Sequence, residues 1–191
     1  MNEYQIEILT DTTPEPVTLT EVKAWLRIDA DFFTNDGILN ALIIGSRELL
    51  EKNLNLAFKE KELKVRFTKN YIDLPYGPTI SVTSVKDQDL TDVAHEVKGL
   101  NYKSILLNNV FEGDWFYPLG GGAPQMQGGG YYHKEIDVIY LTGFAVLPKA
   151  LKNALLMQID YMYKNIGETN MEALNPIAEK LAFPYSRNLV M

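Results

Sequence analysis

The hydrophobic period of this chain changes twice, and that change limits its possible folds more than any other feature. From Val17 to about Asn53, apolar residues recur every three to four positions, as one face of a helix requires. Between about 60 and 143 they alternate in twos, as a half-buried strand requires, and after Pro148 the helical spacing returns. Strands segregated between helical runs point to an α+β fold rather than to the alternating units of a parallel sheet. The expectation is a helical core of about four helices with an antiparallel β insert between the second and third. A single domain over 1–191 is expected, with helical parts at about 17–55 and 147–187 and the insert at about 60–143.

Local signals sharpen this outline. Thr18 followed by Glu21 is a capping box, in which each side chain satisfies a backbone N–H of the other residue. Val17 and Val22 can close as a hydrophobic staple, and Leu19, Val22 and Leu26 share a face with Trp25 beside them. An acidic loop, Asp29 to Asp36, leads to the second helix. There Ile38, Leu39, Leu42, Ile43, Leu49 and Leu50 form one broad arc, with Asn40, Arg47, Glu48 and Glu51 opposite. Ile44 projects into the polar arc. Leu63, Val65 and Phe67 alternate with polar neighbours, and Ile80 to Lys86, Tyr102 to Asn108 and Lys134 to Leu141 are further strand candidates. Gly143 ends the last. Pro148 opens a third helix to about Ile166, and Asn175-Pro176 starts a short fourth that stops before Pro184.

The chemistry available is limited. With no cysteine, the chain has no disulfide, thiolate nucleophile or zinc–thiolate site. Its 25 acidic and 18 basic residues give a net charge of −7, which argues against gripping a nucleic-acid backbone but suits standing beside DNA that slides past. Met1-Asn2-Glu3-Tyr4 has no basic or apolar leader, and the longest apolar run, near Leu42 to Gly45, is far too short to span a membrane. A soluble protein is expected. His95 and His133 stand in no metal-ligand spacing. Asp87, Asp89 and Asp92 begin like a calcium loop, but Asp92 and Lys98 occupy the places where Gly and Glu are needed, so a solvated hairpin turn is expected. No metal, cofactor or catalytic constellation is expected, and the chain reads as no enzyme.

Two features point outward instead. The run from Gly120 to Gly130 lacks the G-K-[ST] of a phosphate loop and is costly to order. Trp115, Phe116 and Tyr117 precede it and Tyr131 and Tyr132 follow, so it reads as a hairpin tip or as a loop that orders on a partner. Gly120, Met126 and Gly130 are its candidate contact residues. In the third helix, Lys149, Asn153, Asp160 and Lys164 define a polar stripe, yet Leu156 and Tyr163 lie within it. The opposite face carries Leu151, Ala154, Leu155 and Met162, with Gln158 among them needing partners for its amide. Ile44, Leu156 and Tyr163 are therefore expected to meet the β insert or a sister copy.

In order and spacing, these segments resemble the phage head–tail connector family, the head-completion adaptors. The matching pieces are Val17-Thr18-Leu19-Thr20-Glu21-Val22-Lys23, Leu26-Arg27-Ile28-Asp29 and the helix around Ser46-Arg47-Glu48. Leu74-Pro75, Val82-Thr83-Ser84-Val85 and Tyr140-Leu141-Thr142-Gly143-Phe144 follow, then Leu147 to Leu155 and Pro184-Tyr185 with Arg187. The resemblance implies a structural subunit of a tailed phage or prophage that forms a homo-oligomeric ring, a dodecamer, on the portal protein. It implies that the ring extends the DNA channel toward a downstream stopper or tail protein. The implied place is the virion head–tail junction, with assembly in the host bacterial cytoplasm, and neither a membrane nor sequence-specific DNA is engaged. The segment Gly113 to Gly130 looks longer than the family's usual insert. Two other readings compete. One is a module that uses the aromatic-flanked loop to bind a glycan or a host or phage protein. The other is a hydrolase using Asp73, Asp87 or Asp137, which would need two of these carboxylates in one cleft.

Overall fold

The computed structural model describes residues 4–11, 14–107, 115–116, 125–126, 135–167 and 173–186. Its first helix, α1 (Leu19–Leu26), starts where the capping box sits. The Glu21 N–H donates to Thr18 Oγ1 at 3.3 Å and the Thr18 N–H donates to Glu21 Oε2 at 2.9 Å. Arg27 ends it in the left-handed region at φ 58°. Helix α2 (Asp36–Leu54) ends the same way at Asn55. Helix α3 (Lys149–Lys164) follows Pro148, and α4 (Pro176–Ala182) is capped by Asn175, whose Oδ1 accepts the Ile177 N–H at 2.8 Å. Leu39, Leu42, Leu50, Leu151, Leu155 and Ile159 are among the residues these helices bury together.

The described strands form three sheets. A four-stranded antiparallel sheet runs in the order β1 (Tyr4–Thr10), β2 (Lys61–Phe67), β9 (Ile136–Thr142), β4 (Thr79–Asp87). A three-stranded sheet runs β3 (Tyr71–Asp73), β6 (Ser104–Leu107), β5 (His95–Lys98), and a two-stranded ribbon pairs β7 (Trp115–Phe116) with β8 (Gln125–Met126). Leu63, Val65 and Phe67 face Tyr140, Val138 and Ile136 across the ladder and pack with Ile72, Ile105 and Leu107 of the smaller sheet. The alternation seen in the sequence is thus the inward face of a second core. Gly143 ends β9 because a side chain there has no room. Its φ is +113°, and a Cβ would lie 2.1 Å from the Lys59 carbonyl oxygen.

The mixed α+β class with four helices is as expected, but several details differ. Strand β1 comes before α1, so the strands do not all follow α2. Its alternation, Ile6 and Ile8, is too short to mark a strand. Strands β3 and β5 were likewise unforeseen; β3 is three residues long, and β5 is exposed throughout, so neither carries an inward apolar pattern. Ile38 stays 48% exposed despite lying on the apolar arc. Arg47 and Glu51, assigned to the solvent arc, are buried.

Candidate assembly surfaces

Burial of Arg47 and Glu51 is possible because each charge finds a partner. Glu51 Oε2 accepts from Arg47 at 2.8 Å and from Lys61 at 2.9 Å, while its Oε1 accepts the Phe58 N–H at 2.7 Å. Glu15 takes Arg47 at 2.8 Å and Lys59 at 3.1 Å, and Asp11 takes Lys59 at 2.9 Å. Burial alone would lower the charge affinity of Arg47, but Glu51 and Glu15 outweigh it and raise its pKa. The cluster joins α2, the segment before α1, and β2. Removing one member would leave a buried charge unpaired, so its role is to hold these elements together. Its sequence signal was the Arg47/Glu51 spacing, one helical turn apart, with Lys59 and Lys61 beyond it.

The outward-facing candidates fare differently from one another. Leu156 is 7% exposed, covered inside one copy because α3 packs against α1, α2 and α4. Its burial therefore needs no neighbour. Tyr163 is half-buried against the same core, with its hydroxyl 3.5 Å from Asn35 Nδ2. Ile44 remains 43% exposed and edges an apolar groove of about 350 Å³ lined by Pro14, Val17, Leu19, Asn40 and Ile43. Gly120 and Gly130 lie outside the described residues, as does His133. Met126 is described by its backbone, which pairs with Trp115 in the ribbon. Gln158 is fully buried and satisfied: its Nε2 donates to the Ala173 carbonyl at 3.0 Å and its Oε1 accepts the Asn175 N–H at 2.8 Å.

The carboxylates weighed for hydrolysis serve local structure. Asp137 is held by Arg66 at 2.7 Å and by Lys64 at 2.9 Å, which lower its pKa. Asp73 accepts from Ser104 Oγ at 2.5 Å and Tyr71 Oη at 2.8 Å. Asp87 shapes a turn through the N–H groups of Asp89 and Thr91. They occupy three different strands, and each has hydrogen-bond partners of its own.

A further exposed feature went unforeseen. Lys23 is buried, and its ammonium donates to the Ala30 and Phe32 carbonyls at 3.3 and 3.0 Å and pairs with Asp36 at 2.6 Å. This pins the loop between α1 and α2, which displays Phe32 at 46% and Phe33 at 70% exposure. Its aromatic pair lay within a stretch read simply as acidic.

Residues 16–97, from the α1 cap to the end of β5, match the family of phage gp6-like head-tail connector proteins. No curated protein matches the chain. Two solved structures contain chains of similar fold. One, from the neck of an empty gene transfer agent particle computed with C6 symmetry, is 16% identical, with a TM-score of 0.70, covering 98% of this chain and 97% of its own. The other, from the virion of a native gene transfer agent particle, is 17% identical with a TM-score of 0.67, covering 97% and 96%. The match stops before Tyr140–Phe144 and Leu147–Leu155, but the shared fold continues through both. The resemblance read from the sequence is thus borne out over residues 16–97 by the family match, and the fold is shared with the two solved structures along the chain.

Proposed function

We propose that this protein is a structural virion subunit that forms a ring under the portal and extends the DNA channel toward the tail. The whole chain acts as one connector domain, in a dodecamer on the portal with a stopper or tail protein below. The observation that carries this reading is the family match over residues 16–97. End-to-end likeness to a chain of a gene transfer agent neck supports it. So does the net charge of −7, since an acidic wall repels phosphate and lets DNA pass without gripping it. A ring needs head-to-tail contacts, in which one patch meets a different patch on the next copy. Ile44 with its groove on α2, and Tyr163 on α3, are the helical positions proposed for such contacts. An ordinary monomer exposes scattered apolar residues, so Ile44 counts here because it borders a groove rather than because it is wet.

Electron microscopy of the protein mixed with its cognate portal tests the reading. An added ring below the portal, absent without the protein, is expected. A portal that remains bare at saturating protein overturns it.

A further inference from the structure

The turn that links β4 toward β5 presents a leucine in an unusual way. Leu90 has φ +61° and is 74% exposed. A bulky residue in the left-handed region is costly, and placing its side chain in water gains nothing in return. The conformation is nevertheless well held. Asp87 Oδ1 accepts the N–H groups of Asp89 and Thr91 at 3.0 and 2.9 Å, the Leu90 N–H donates to the Asp87 carbonyl at 3.0 Å, and the Asp87 N–H donates to the Thr91 carbonyl at 3.0 Å. Asp89 and Asp92 flank the leucine, exposed and without an ion pair among the described residues. The turn is a fixed apolar tip with an acidic collar.

At the other edge of the same sheet lies a cleft of fitting chemistry. In β1, Ile6 and Ile8 stand opposite Val65 and Leu63 and so share their inward face. The core does not extend over them: Ile6 is 38% and Ile8 56% exposed. Together with Leu63 and Tyr76 they line a cleft of about 330 Å³ whose far wall is the second half of α2. The carboxylates along it already have partners, Asp11 with Lys59, Glu51 with Arg47 and Lys61, and Glu48 with Arg47. Lys52 on the rim is exposed and has no ion pair among the described residues. Strand order separates this cleft from the β4 turn by three interstrand steps, about 14 Å.

We propose that the Asp87–Asp92 turn of one copy seats Leu90 in the cleft between β1 and α2 of the next, with its acidic collar against Lys52. This deepens the ring reading and rests on it. Two complementary patches on opposite edges of one sheet are what a head-to-tail contact needs. The contact gives Leu90 the burial that offsets its backbone cost, and it covers the part of the inward face of β1 that the core leaves open.

The absence of cysteine makes a clean test possible. The double variant Leu90→Cys/Ile8→Cys is concentrated, oxidised, imaged in the electron microscope and run on a non-reducing gel. A ladder of covalent multimers that reaches ring size is expected, and each single variant should give none. The two sites are too far apart to bridge within one copy. Lys52→Glu in that background should abolish the ladder, dimer included, and adding Asp89→Lys should restore it. Leu90→Gly, which relaxes the backbone and keeps the fold, should lose rings. Rings without a ladder would overturn this docking and leave the ring reading standing. No ladder, together with no added ring when the parent protein is mixed with its cognate portal, overturns both. Covalent dimers from a single variant would show a symmetric contact and likewise overturn the docking.

Discussion

In the helical core, Leu156 lies on a stripe that looks wet in sequence, yet the folded copy covers it. Along β1, Ile6 and Ile8 look like an ordinary inward face, yet they stay in water. The difference is one of neighbours. Helix α3 has α1, α2 and α4 around it, so nearly every direction it points meets protein. An edge strand has one partner strand, and its inward face is covered only as far as the core reaches. Surplus apolar residues on a central helix are therefore weak signs of assembly, and those on a sheet edge are stronger ones.

The largest expected effect tests whether the two regions are one mechanical unit. Glu51→Leu leaves Arg47 and Lys61 facing each other without their shared carboxylate, and should cost about 3–5 kcal/mol in urea denaturation. A loss below about 1 kcal/mol would mean that the buried charges do not join helices to sheet. The next contrast bears directly on the comparison. Leu156→Ala should cost about 2–5 kcal/mol, since it opens a cavity in the helical core. Ile8→Ala should change stability by less than about 0.5 kcal/mol while weakening assembly. A reversal of these two costs would break the distinction between covered helix and open edge.

The smallest effect is a pH dependence at the α1 cap. Lys152 at 2.5 Å, and then the Thr18 N–H, hold the Glu21 carboxyl below its ordinary value. A carboxyl with a depressed folded pKa stabilises above its unfolded pKa, and that contribution is lost as pH falls through the folded value. Lys152→Met should therefore cost up to about 1 kcal/mol at neutral pH, because the pair is largely solvated. The gap between variant and parent should close in acid, and a gap constant with pH would assign the loss to packing instead.

Much of the local structure was legible. Thr18 and Glu21 mark the start of α1 because capping needs only residues three apart, and Asn175-Pro176 marks α4 for the same reason. Leu63, Val65 and Phe67 announce β2 because a fully covered inward face leaves a clean alternation. The candidate site was harder to read. Of the interface positions expected on helices, Ile44 is exposed, Tyr163 half-buried and Leu156 enclosed, and no period separates these cases. Leu90 carries no mark in the sequence, because a turn rich in aspartate looks solvated and a left-handed backbone leaves no trace in composition.

By itself, the order of the amino acids determined where the four helices and the strands β2, β4, β6 and β9 form, since these carry marks only a few residues apart. It also settled the absence of thiol chemistry and the acid balance. Only the tertiary structure decided that Arg47 and Glu51 go inside, that β1 closes one edge of the sheet, and that Ile8 and Leu90 stay exposed. Burial is a property of what packs alongside, and elements far apart in the chain choose their neighbours only when the whole of it folds.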